Sequence, residues 1–135
     1  MTRSIPWALA ILMAPLSAFA MGDAQAGQAV FKRCASCHSV GADASNKAGP
    51  VLNGVIGRQA GTFEGYKYGK HMVAAGEAGL IWTEELVAEY VADPRAFLRT
   101  FLDDSKARAK MSFKLKDETA RADVAAYLAT LSDGE

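Results

Sequence analysis

Two thiols and an imidazole stand together at Cys34-Ala35-Ser36-Cys37-His38. Cys-x-x-Cys-His is the spacing of covalent c-type haem attachment. The thiols add to the two vinyl groups as thioethers, and two intervening residues bring both sulfurs to one porphyrin edge. The adjacent His is then carried under the ring, within reach of the iron. Three other chemistries use the same residue types. A thioredoxin-like redox pair usually opens a helix after a strand, and no strand pattern precedes Cys34. A zinc site takes four ligands. Cys34, Cys37, His38 and His71 are all the Cys and His the chain has, and His71 stands in no zinc spacing. A plain disulfide accounts for neither His38 nor the glycine-rich stretch that follows.

An iron held from below by His38 needs a sixth ligand from distant chain. Met72, Met111, His71 and several lysines are the candidates. Met111 falls in an irregular segment, where the backbone can bend a side chain onto a fixed metal. Met72 falls in an expected helix, where Met more often packs a core. Met111 is therefore favoured. A Met/His pair raises the reduction potential relative to two nitrogen ligands and leaves no open coordination position, which favours electron transfer over substrate binding at iron.

Several elements must position these groups. Asp23 is placed to cap a helix from Ala24 to near Cys34. Six glycines between Ser39 and Gly65, with no strand alternation, read as a long ordered loop wrapped around something. A short helix is expected over Lys70–Ala75. Thr83 caps a helix whose buried face is Leu86, Val87, Tyr90 and Val91. Asp93-Pro94 ends it and opens another through Leu102. Residues 103–113 read as irregular, and Asp117 caps a last helix with Ala120, Val124, Tyr127, Leu128 and Leu131 at helical spacing. The expectation is an all-α domain of several helices and long loops.

The chain has 135 residues, half of them hydrophobic, with 15 Lys+Arg against 15 Asp+Glu. That length allows one small domain. The neutral balance argues against a nucleic-acid partner held by bulk phosphate attraction. Residues 1–20 read as a secretory signal peptide. Arg3 precedes the uncharged run Ile5–Leu16, which is shorter than the roughly 20 residues that span a bilayer, and Ala18-Phe19-Ala20 ends in the small-x-small cleavage pattern. Cleavage near Ala20 leaves 21–135 as a single domain exported to a periplasm. So small a domain usually needs a staple such as a cofactor.

Taken as a set, several motifs resemble the class I cytochrome c family, and within it the bacterial cytochrome c2 group and its respiratory counterparts. They are the attachment pentapeptide, Gly49-Pro50-Val51-Leu52, Gly57-Arg58, Gly65-Tyr66-Lys67-Tyr68, Trp82, Tyr90 with Asp93-Pro94, Lys110-Met111-Ser112-Phe113 and Val124-Ala125-Ala126-Tyr127-Leu128. The resemblance spans Gly22 to Leu131. It implies one haem c joined to Cys34 and Cys37, with His38 and Met111 as axial ligands. It further implies that the Pro50 carbonyl accepts from the His38 N–H, that Arg58, Tyr68 and Trp82 hold an inner propionate, and that the Tyr90 hydroxyl reaches the Met sulfur. Phe113 would lie beside the exposed haem edge. Gly27, Phe31, Val124 and Tyr127 would form the crossing of the first and last helices. The chain departs from the short mitochondrial type by extra residues between Tyr68 and Trp82 and an insertion over Thr100–Arg108. Lys106-Ala107-Arg108-Ala109 replaces the usual Pro-Gly-Thr before the Lys-Met pair.

The implied function is a monomeric, non-enzymatic one-electron carrier cycling Fe(II)/Fe(III). It would take electrons from a quinol-cytochrome c oxidoreductase and deliver them to a photosynthetic reaction centre or a terminal oxidase. Lys106, Arg108, Lys110, Lys114 and Lys116 flank Met111 with no acid among them. They are expected to form a docking face, joined by Lys32, Lys47 and Lys67. Service to a periplasmic dehydrogenase is an alternative. A haem enzyme or sensor with a displaceable sixth ligand, or a haem-free zinc or thiol protein, are the readings from other classes.

Overall fold

The computed structural model describes residues 21–131; the segment read as a signal peptide lies outside the described residues. Five helices follow one another: α1 (Ala24–Phe31), α2 (Lys70–Glu77), α3 (Glu84–Ala92), α4 (Pro94–Leu102) and α5 (Glu118–Ala129). Among the described residues the only β pairing is an isolated bridge between Gln59 and Ile81.

Side-chain oxygens start four of the helices, as the sequence requires. Asp23 accepts from the amides of Gln25 and Ala26, Thr83 from Leu86, Asp93 from Ala96 and Asp117 from Ala120. Each satisfies an amide that has no partner inside its own helix. Asp93 also terminates α3, and Pro94 occupies the first position of α4, where its missing N–H costs nothing. Two boundaries differ from expectation. α1 stops at Phe31 and tightens into turns, with the Cys34 amide donating to Phe31 and the His38 amide to Cys34. The attachment residues therefore sit on turns, not on the helix. α2 runs on to Glu77, closed by the amides of Ala78 and Gly79 donating to Ala74 and Gly76.

The first and last helices cross as the motif implied. A Cβ on Gly27 would overlap the Asp123 carbonyl of α5, so glycine is what lets the two backbones meet. The Phe31 and Tyr127 rings pack 5.7 Å apart beside this crossing. The Asp123 carboxylate also accepts the Asp23 amide at 2.8 Å, tying α5 to the start of α1. α3 packs on α5, and α4 joins α3 and α2. Trp82, Tyr90 and Phe97 form one aromatic cluster, with Trp82–Tyr90 centroids 5.1 Å apart. No helix among the described residues is long and apolar enough to cross a membrane.

Candidate functional site

The helices and the long loop enclose a cavity of about 460 Å³. Its walls include the apolar side chains of Phe31, Leu52, Val55, Val87, Val91, Leu98, Val124 and Leu128. The size and the mainly apolar lining of this open cavity suit a large, flat, mostly apolar occupant.

Its polar lining is specific. Cys34, Cys37 and His38 all face it, and so does Met111 from a different loop. The two cysteines are not joined to each other in a disulfide. Burial pushes the Cys34 thiol up, against the opposing charge of Arg33. His38 sits against the loop 46–53. Its Nδ1–H donates to the Pro50 carbonyl at 2.8 Å, which leaves the Nε2 lone pair for another partner. Burial lowers the His38 pKa, partly offset by that bond, so the imidazole is neutral and suited to a metal. A Cβ on Gly49 would overlap the imidazole ring. The residue beside Pro50 has to be glycine for the ring to lie there.

The other candidates divide. Arg58, Tyr68, Trp82, Tyr90 and Phe113 all line the same cavity. Arg58 donates to the carbonyls of Asn53 and Val51 and lies 4.9 Å from the Phe63 ring centre. Tyr68 accepts the Phe63 amide at 3.1 Å, and burial raises its pKa. Tyr90 is more deeply buried, which holds its hydroxyl un-ionised. Phe113 is at the rim, with the Arg33 guanidinium 5.6 Å from its ring centre. Met72, the less favoured methionine, also lines the cavity. His71 does not: its ring nitrogens face the Arg108 amide and the Asp104 carboxylate.

The five basic residues are exposed, and Arg108 and Lys110 lie at the cavity edge. Two of the five are engaged. Lys110 donates to the Lys67 carbonyl and covers the Tyr66 ring, and Lys114 pairs with Asp93 at 3.1 Å. Of the lysines expected to join them, Lys47 donates to the Ala35 carbonyl.

Sequence reasoning passed over Asn53, Asn46 and the structural role of Tyr66. Asn53 is buried and brackets Gly41, accepting its amide and donating to its carbonyl. Asn46 accepts the Val51 amide. The Tyr66 hydroxyl donates to the Ala48 carbonyl at 2.6 Å. An amide side chain within a glycine-rich loop is a signal for such bracing, but its partner cannot be read from spacing.

An all-helical shell around one large apolar cavity, with a Cys-x-x-Cys-His turn on its wall, defines a covalent haem protein of the class I cytochrome type. The cytochrome c family model matches residues 24–132, and the chain belongs to that family. It is 49% identical to cytochrome c-551 of Roseobacter denitrificans over 98% of this chain and 97% of that one. Cytochrome c2 iso-1 of Rhodospirillum centenum is 52% identical over 83% of this chain and 98% of its own. The solved structure of cytochrome c2 from Rhodospirillum centenum superposes with a TM-score of 0.79 at 53% identity, covering 82% of this chain and 99% of that one. Members of the family are electron carriers that bind haem c covalently through two cysteines, and Cys34 and Cys37 are the pair present here.

Proposed function

We propose that the chain is a periplasmic one-electron shuttle, monomeric and exported with cleavage near Ala20. It would accept electrons from a bc-type quinol-cytochrome c oxidoreductase and pass them to a reaction centre or a terminal oxidase. The haem iron supplies the one-electron chemistry. The observation that carries the reading is that His38 and Met111, a nitrogen and a thioether donor from separate loops, line one mainly apolar cavity with both cysteines. Pro50 orients the His38 ring by accepting its N–H. Gly49 makes room for it. Apolar walls keep water away, so little solvent need reorganise when charge changes by one. Arg58, Tyr68 and Trp82 offer donors in the cavity, which suits a carboxylate that would otherwise be buried unpaired.

Phe113, Arg108 and Lys110 line the opening, and with the exposed Lys106, Lys114 and Lys116 they would form the docking face. Because Lys114 is paired with Asp93, Lys106, Arg108, Lys110 and Lys116 carry the uncompensated charge there. A small, brief interface suits a carrier that must leave after each transfer.

The absorption spectrum of the purified protein tests the assignment. A low-spin haem that survives acid-acetone extraction and is unmoved by carbon monoxide is expected. Met111→Leu should abolish the near-infrared sulfur-to-iron(III) charge-transfer band, whereas Met72→Leu should keep it. The reverse pattern would assign the thioether to α2, and a colourless protein would end the proposal.

A further inference from the structure

His71, in the first turn of α2, has a half-buried side chain that the haem site does not use. Its Nδ1 accepts the Arg108 backbone amide at 3.0 Å, across 37 residues of chain. A backbone N–H only donates, so Nδ1 carries the lone pair and Nε2 the proton. Nε2 lies 3.8 Å from the Asp104 carboxylate, whose other oxygen accepts the Lys106 amide. The peptide unit joining Ala107 to Arg108 is held at its other end as well. The Ala107 carbonyl accepts from the Arg99 Nε of α4 at 3.0 Å. One peptide plane is thus gripped at both polar ends, by side chains from two helices that pack on each other. Ala107 itself is fully buried between them.

This grip falls where the insertion hands over to the ligand segment. After the Arg108 amide, the next backbone amide bonded to backbone is Leu115, which donates to Val91. Met111, Ser112 and Phe113 lie on the span between. Two fixed points set the orientation of a peptide plane, and that orientation sets the direction in which the chain leaves toward Met111. With one point removed the plane can turn about the other.

We propose that His71 is a positioning residue for the thioether ligand: together with Arg99 it clamps the 107–108 peptide and so sets how readily Met111 leaves the iron. The inference rests on the reading of Met111 as a ligand.

The test uses the ferric holoprotein and imidazole as the entering ligand, following decay of the sulfur-to-iron band in stopped flow. Loss of one net hydrogen bond predicts that His71→Leu accelerates displacement about fivefold to tenfold. His71→Asn, whose side-chain oxygen occupies nearly the position of Nδ1, should return the rate to within about twofold of the parent. Amide exchange at Arg108 should quicken in His71→Leu and not in His71→Asn. A displacement rate in His71→Leu within twofold of the parent overturns the clamp, as does His71→Asn behaving like His71→Leu. A band that persists in Met111→Leu overturns the ligand assignment, and is distinguishable because it needs no change at His71.

Discussion

Between Cys34 and Gly54, on the His38 side of the cavity, the chain is cross-tied at nearly every turn. The Gly49 amide donates to Cys37, the Leu52 amide to Ser39 and the Gly54 amide to Leu131. Asn53, Asn46 and Tyr66 add side-chain ties to the same loop. On the Met111 side, no backbone-to-backbone hydrogen bond is made by residues 108–114 among the described residues. That segment hangs between the peptide clamped by Arg99 and His71 and the Leu115 amide. The contrast teaches that the two sides of the cavity are held by different means: the His38 imidazole by a stitched loop, the Met111 thioether by a few side chains at the ends of an open span. Local opening concentrates where such ties are few, so it should begin on the Met111 side.

The most severe way to break the comparison is to remove what both sides enclose. Cys34→Ala with Cys37→Ala leaves haem without its tether, and the roughly 460 Å³ cavity without its permanent filling. Loss of most helical circular dichroism at room temperature is expected. Full helicity in a haem-free double variant would show that the shell folds on its own.

Next is an attack on the stitched side. Gly49→Ala drives a Cβ into the His38 ring. Forced overpacking of this kind costs about 1–3 kcal/mol. Denaturant unfolding should show that loss, with an altered Soret band because the imidazole must move.

On the open side, surface charge should affect rate more than stability. Lys106→Glu with Arg108→Glu should leave unfolding within about 1 kcal/mol of the parent. Electron transfer to an acidic docking partner should slow about tenfold at low salt, and the parent rate should fall as salt is added. Rates indifferent to ionic strength would remove the docking face.

The smallest expected effect sharpens the far end of the open span. Asp93 caps α4 and pairs with Lys114. The Ala96 amide, then Lys114, hold its carboxyl below the usual carboxylate range. A carboxyl depressed by folding adds stability above its unfolded pKa and loses it as pH falls through the lower folded value. Asp93→Asn keeps a capping oxygen and removes the charge. It should be slightly less stable than the parent at neutral pH, and the gap should close in acid. A gap that widens on acidification would show the sign to be wrong.

Much of this was legible in the chain because it is local. A cap lies two or three residues from the amides it serves, so Asp23, Thr83, Asp93 and Asp117 announced their helices. Cys34, Cys37 and His38 declare their chemistry by adjacency, and Gly49-Pro50 and Lys110-Met111 by family pattern. The end of α1 was less legible, because a helix that tightens into turns keeps the same periodicity.

The sequence by itself determined which residues could bind a haem, where four helices start, and that the domain needed a filling. Only the tertiary structure decided that Asn53 should bracket Gly41, that Tyr66 should reach Ala48, and that His71 should grip Arg108 outside the cavity. The reason is physical. Those hydrogen bonds join residues 12, 18 and 37 positions apart. Their geometry exists only after hydrophobic packing of the helices has closed the intervening loops, and nothing in local propensity records which donor a closed loop will meet.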